Sequence, residues 1–213
     1  MYVGQIEEQK LTFVVSGKLW NRSLVMQDLE TKSLWSHILG ECMEGELKGQ
    51  RLEIVPSSMT DWKSWKEQAP ETTAVLMSRT SKNYNRDFYK QKPSAFAIGA
   101  LLQGQARHWS FDQLQLHPVV NDTFADTPLV VTFDGESFSG HLFERRLGDQ
   151  ILEFELRDGK LTDRQTGSIW DPTRGSALEG ELKGRKLERV ISIPTFVKSW
   201  AAFHPKTEAW NPE

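Results

Sequence analysis

Apolar residues in this chain alternate with polar ones in short runs more often than they recur at helical spacing. Leu11, Phe13 and Val15 share one face of a run whose other face carries Thr12, Val14 and Ser16, the period-2 mark of a half-buried strand. Residues 2–7, 24–26, 52–55, 96–103, 105–109, 129–133, 137–143, 151–156 and 187–192 read as further strands, separated by turn residues such as Gly17, Gln103-Gly104, Asp134-Gly135 and Asp158-Gly159. Ser110–Leu116 reads as a turn. Helical spacing shows in two places. Ser58–Asp61 opens a helix that puts Trp62 and Trp65 on one face and stops at Pro70, and Thr195–Phe203 puts Trp200 and Phe203 together before Pro205. Both aromatic faces are expected to pack on a sheet as core.

The two helices belong to a duplication. Ser33-Leu-Trp35 through Glu44-Gly-Glu-Leu-Lys-Gly49 returns as Ser168-Ile-Trp170 through Glu179-Gly-Glu-Leu-Lys-Gly184, at a constant offset of 135 residues. The offset persists to Trp65/Trp200, Pro70/Pro205 and Thr72/Thr207. The expected fold is therefore β-rich α+β, with two related units at 1–93 and 94–213, each a small, mainly antiparallel sheet with one short helix. The first unit lacks the front half that residues 94–140 give the second. Its sheet should end in an edge that includes Leu11, Phe13 and Val15, covered by a homodimer or by the second unit.

Composition narrows the function classes. With 26 Lys and Arg against 29 Asp and Glu, the formal charge is −3, which gives no global attraction to nucleic acid or anionic membrane. No apolar run reaches the roughly 20 residues that a membrane span needs. Met1–Lys10 shows no basic-then-apolar leader, so a cytoplasmic location is expected, or an exported one if an upstream leader is missing. A single cysteine, Cys42, excludes an internal disulfide and reads as a small buried apolar residue. The glycines at 40, 45 and 49 suit tight turns; no Gly-Lys-Ser/Thr follows them as a phosphate cradle would require.

The strongest polar constellation is His117, Asn121 and Asp122, as a general base with an orienting partner. On a strand His117 and Asn121 would share a face and Asp122 would point away. The blander reading makes Asn121-Asp122 turn chemistry and His117 a hydrogen-bonded structural residue. Asn21-Arg22-Ser23 lies in an insertion of about seven residues, Trp20–Met26, that the second copy lacks, and loops added to a common scaffold are where binding tends to sit. Tyr84 and Arg86, in the polar stretch 78–94, combine basic and aromatic groups and are binding candidates, with an ordered surface linker as the plainer reading. No pair of histidines shows metal-ligand spacing, and no cofactor motif is present. His204, beside the last turn of its helix, is placed to suit the dipole as a cation.

Three stretches carry a family resemblance. They are Leu11–Met26 running on to Ser33-Leu-Trp35, Gly104–Ser110 with His117-Pro-Val-Val-Asn121-Asp122 and Pro128–Phe133, and Tyr84-Asn-Arg86-Asp87-Phe-Tyr89. Together they resemble the DUF3179 family, bacterial and archaeal proteins with no assigned function. Fuller members carry a front half ending in Val-Val-Thr-Tyr-Cys-Pro-Leu-Cys, and Met1 begins just downstream of where that would lie. The second copy reads Val130-Val-Thr-Phe-Asp134-Gly-Glu-Ser137 at the corresponding place, without cysteine. Thiol or metal chemistry implied for relatives is therefore not carried over, and the chain is either a short form or a fragment. The function expected is a non-catalytic binding or interaction module for an unknown ligand or protein partner. The alternative is a hydrolase-like enzyme using His117 with Asn121 or Asp122.

Overall fold

The structure, a computed structural model, describes residues 1–57, 59–74 and 91–212. Up to residue 74 it holds β1 (Gln5–Ile6), β2 (Gln9–Lys10), β3 (Phe13–Trp20), β4 (Ser23–Asp28), β5 (Leu34–Ser36), β6 (Cys42–Glu44) and α1 (Trp62–Gln68). From residue 91 come β7 (Phe96–Leu102), β8 (Gln105–Ser110), α2 (Phe111–Leu116), β9 (Val119–Phe124), β10 (Thr127–Asp134) and β11 (Ser139–Glu144). The short strands β12 (Arg146–Leu147), β13 (Gln150–Ile151), β14 (Phe154–Arg157), β15 (Lys160–Asp163), β16 (Ile169–Trp170) and β17 (Ala177–Glu179) follow. The chain closes with β18 (Glu188–Arg189), β19 (Ile193–Phe196), α3 (Val197–Phe203) and β20 (Glu208–Ala209). The described fold is β-rich α+β, built from two- and four-stranded sheets that pair antiparallel except for β20 along β8.

The duplicated sequence builds the same small sheet twice, β3-β4-β5-β6 and β14-β15-β16-β17. Each centres on a fully buried aspartate that accepts an indole N–H: Trp35 Nε1 to Asp28 at 2.8 Å, Trp170 Nε1 to Asp163 at 2.9 Å. Each tryptophan also takes a phenylalanine edge-on, Phe13 at 5.6 Å and Phe154 at 5.5 Å. The shared Glu-Gly step has a steric reason. Gly45 and Gly180 sit at φ +109° and +92°, and a Cβ there would lie within 2.5 and 2.7 Å of Ser33 and Ser168. Those serines in turn accept the Leu47 and Leu182 backbone N–H groups at 3.3 and 3.0 Å.

The copies differ at one hairpin. Phe13 and Phe154 are 141 residues apart and Asp28 and Asp163 are 135 apart, so six extra residues lengthen β3 and β4. The pairing shifts register between Val15 and Leu19, and Asn21 and Arg22 turn at φ +47° and +63°. The tip reaches the C-terminal helix, where Trp20 meets Phe203 edge-on at 4.9 Å and Asn21 Nδ2 donates to the Ala202 carbonyl at 3.3 Å. Trp20→Ala should therefore lower the denaturant midpoint by the equivalent of roughly 1–2 kcal/mol. An unchanged midpoint would mean the contact holds nothing.

Residues 96–142 form the larger core, where β18-β11-β10-β9 faces β19-β7-β8-β20 across Phe96, Ile98, Trp109, Phe111, Leu129 and Leu142. Several elements differ from the reading of the sequence. Residues 110–116 are not a turn: Ser110 precedes α2, which buries Phe111 and Leu114 against this core. Asn121 and Asp122 lie in β9, not in a turn, because β10 pairs along their whole length. Residues 52–55 make only an isolated bridge, Tyr2 to Ile54. Of the two helical tryptophan faces, α3 buries Trp200 to 1 % exposure, but α1 buries none of its residues and leaves Trp62 and Trp65 at 53 % and 41 %. Of the expected edge, Leu11 is buried and Phe13 half-buried, so the exposed apolar residues of β3 are Val14, Val15, Leu19 and Trp20.

Candidate functional site

Two clefts flank the sheet β9-β10-β11. The first, about 880 Å³, runs along β9 and gathers His117, Asn121 and Asp122 with Arg107, Arg145 and Trp210. Proximity does not make them an acid–base set. His117 caps the end of α2 and stands edge-on to Trp210 at 5.8 Å. The Asn121 amide is spent on the backbone of Phe154: Nδ2 donates to its carbonyl at 2.7 Å and Oδ1 accepts its N–H at 2.8 Å. Asp122 takes Arg107 through both carboxylate oxygens at 2.8 and 3.0 Å, the Trp109 indole at 3.1 Å and the Thr123 N–H at 2.7 Å. The alternation of β9 turns the Asn121 and Asp122 side chains to opposite faces, and both spend their hydrogen bonds on groups other than His117.

The second cleft, about 450 Å³, lies between β10–β11 and the sheet β14–β17. Phe133, Leu161, Ile169 and Trp170 supply apolar wall, and Thr132, Ser139 and His141 polar groups. Ser139 and His141 share a face of β11 and are both buried. Arg189 Nη2 lies 3.0 Å from His141 Nδ1, and His141 Nε2 lies 3.1 Å from Ser139 Oγ. A guanidinium only donates, so Nδ1 is the acceptor and the proton of the neutral ring sits on Nε2, donated to Ser139. His141 cannot then deprotonate Ser139. Burial, with the Arg189 charge beside the ring, pushes the His141 pKa down to about 4, so the imidazole is neutral near pH 7. At the cleft mouth the β10–β11 turn ties Ser137 Oγ to Asp134 Oδ2 at 2.5 Å.

A family model described as protein of unknown function (DUF3179) matches residues 1–96 and again residues 92–212. The chain belongs to the DUF3179 family. Comparison with curated proteins and with solved structures gives no match. Asp134 and Ser137 flank the turn between β10 and β11. The fold puts that turn at the mouth of the His141 cleft. His141 escaped the reading of the sequence because Arg189, which fixes its tautomer, is 48 residues away and on a different strand.

The remaining candidates are dispersed. Arg22 and Ser23 line a third cleft of about 260 Å³ with His37, Met59, Phe196 and Ser199, while Asn21 is held by α3. Tyr84 and Arg86 lie outside the described residues. Cys42 is buried, its Sγ contacts the Glu44 carbonyl at 3.5 Å, and burial pushes its thiol pKa up, the reverse of what a nucleophile needs. His204 caps α3 but packs on Trp200 at 4.1 Å, and burial lowers its pKa, so the dipole does not hold it as a cation. Among the described residues no three of His, Cys, Asp and Glu gather as a metal site, and no helix is long and apolar enough to cross a membrane.

Proposed function

We propose that this DUF3179 protein is a non-catalytic binding module whose ligand seat is the His141 cleft. The observation that carries this reading is the fixed Arg189–His141–Ser139 chain. It places a buried, pre-oriented polar group among apolar walls and leaves no base for Ser139. The turn bearing Asp134 and Ser137 adds support by its place at the cleft mouth. A small neutral molecule with an apolar body and a hydrogen-bonding edge suits such a lining. In an NMR screen of small aromatic amides, binders should shift the His141 ring resonances saturably. Leu178→Trp, on the exposed rim of the cleft, should weaken that response. A screen that leaves His141 unmoved while shifting another cleft would overturn the assignment.

The same proposal expects no hydrolysis. p-Nitrophenyl acetate and p-nitrophenyl phosphate should turn over at the buffer rate. A rate above it that His117→Ala abolishes would establish the hydrolase reading instead. For assembly, the open β3 edge with Val15 and Leu19 about 70 % exposed supports a homodimer paired along β3. Light scattering separates the pair from a 24.4 kDa monomer.

A further inference from the structure

The cleft along β9 holds two guanidiniums that the fold leaves short of acceptors. The Arg145 side chain is only 8 % exposed. Its Nε donates to the Leu129 carbonyl at 3.2 Å, and its Nη1 to the Leu152 carbonyl at 3.0 Å and to Glu153 Oε1 at 2.5 Å. Among the described residues Nη2 finds no acceptor, and Arg145 lines the cleft. Arg107, on the same cleft, spends Nη1 on Asp122 and the Thr123 carbonyl and Nη2 on Glu208. Its Nε is buried with no partner among the described residues. Buried donors left in this state are uncommon, because each carries the desolvation of a charged N–H. Both lack the same thing, an oxygen.

The charge balance says which kind of oxygen. Arg107 and Asp122 are 19 % and 10 % exposed, whereas Glu208 and Glu153 are 57 % and 41 % exposed. The two exposed carboxylates act from the solvent side, where water and salt weaken them. The buried set is then two guanidiniums against one carboxylate, an excess of one positive charge. β9 adds a direction. It is the edge of its sheet. The Pro118 carbonyl accepts the Phe133 N–H at 2.9 Å, so Val120 and Asp122 aim their backbone groups at β10 while Val119 and Asn121 aim theirs away from it. Leu129, whose carbonyl holds Arg145, stands opposite Asp122, which sets the guanidinium beside this part of the edge.

We propose that the β9 cleft binds a monocarboxylate with an amide next to the acid, the end group of an N-acylated amino acid or of a peptide. The carboxylate takes the free Arg145 Nη2 and balances the buried charge. The amide pairs with the outward N–H and C=O of Asn121, as an added strand would. Trp210, edge-on to His117, borders the space for an apolar side chain. This seat is separate from the His141 cleft, whose ligand is neutral.

The test uses the full chain labelled with 5-fluorotryptophan, its Trp210 signal assigned by Trp210→Phe, with the ring resonances of His117 and His141 followed alongside. The probes are N-acetylphenylalanine and its neutral amide. The acid should move Trp210 and His117 saturably, and the amide should bind there about tenfold more weakly or less. Arg145→Lys keeps the charge but loses Nη2, and should weaken the acid about tenfold or more. Where that variant fails to fold, the acid and amide on the wild-type chain decide alone. Equal affinity of the two at Trp210 overturns the proposal, as does a Trp210 signal that the acid leaves unmoved at millimolar concentration. An acid that moves His141 and not Trp210 overturns it as well. Movement of His141 by the amide bears on the His141 seat alone, so the two readings fail separately. N-acetylglycylglycylphenylalanine distinguishes the sources: tighter binding than the single acylated residue assigns the seat to a peptide C-terminus, and equal or weaker binding to a free acylated amino acid.

Discussion

Asp163→Ala should destabilise the protein by roughly 3–5 kcal/mol, among the largest losses any single substitution here can produce. Asp163 is fully buried and gathers four donors: the Trp170 indole at 2.9 Å, the Thr166 N–H at 2.6 Å, the Thr166 hydroxyl at 2.9 Å and the Ser168 N–H at 3.2 Å. Alanine removes the acceptor and leaves the donors behind, so the cost is that of desolvated, unmatched groups and not of one net hydrogen bond. Asp163→Asn should fare little better, since an amide turns an N–H₂ toward at least one of those donors. The first copy is an internal control. Asp28 takes the Trp35 indole at 2.8 Å and both the N–H and hydroxyl of Thr31, at 2.5 and 2.8 Å. Asp28→Ala should therefore lose a comparable amount. Denaturant unfolding at neutral pH measures all three, and a loss under 1 kcal/mol for Asp163→Ala would refute the account.

That aspartate site also shows where the sequence was legible and where it was not. The spacing of Trp35 and Trp170, with Glu-Gly-Glu-Leu-Lys-Gly at fixed offset, announced a duplicated unit. The glycines and serines in it prove to be a close backbone crossing that no side chain could share. Asp28 and Asp163 obey the same offset, but nothing local marks them, because their indole partners meet them across a hairpin. The sequence did not mark β9 as a strand; alternation, applied on the supposition of one, sets Asn121 and Asp122 on opposite faces, as β9 does. It could not say that Asn121 would be spent on the backbone of Phe154, or Asp122 on Arg107, since both partners lie more than a dozen residues away. The helices show the limit of local reasoning. α1 and α3 share tryptophan, proline and threonine at the same places, yet one indole is core and the other is not. A helix face is buried by what lies opposite, and β7 lies opposite only α3. α2 was missed for a related reason: six residues carry too little periodicity to separate a helix from a turn.

His141 should make the fold acid-sensitive between about pH 6.5 and pH 4. Its folded pKa, about 4, lies below the 6.5 of an exposed imidazole, because burial and Arg189 disfavour the charged ring. The unfolded chain therefore binds a proton at this site that the folded chain refuses. The stabilisation is complete above pH 6.5, falls as pH drops through that window and is gone below about 4. The interval corresponds to roughly 3 kcal/mol, at about 1.4 kcal/mol per pH unit. His37, His108 and His204 are also pushed down by burial and act in the same direction, so the wild-type profile alone does not isolate His141. His141→Gln does. Its carbonyl can accept from Arg189 and its amide can donate to Ser139, with no titration in this range. The variant should lose some stability at pH 7.5 but show a shallower acid limb, so the two curves converge toward pH 4. Asp134 and Asp171 pull the ring the other way and are too weak to reverse the direction. Parallel curves for the two proteins from pH 7.5 to 4 would show that His141 is not held neutral by the fold.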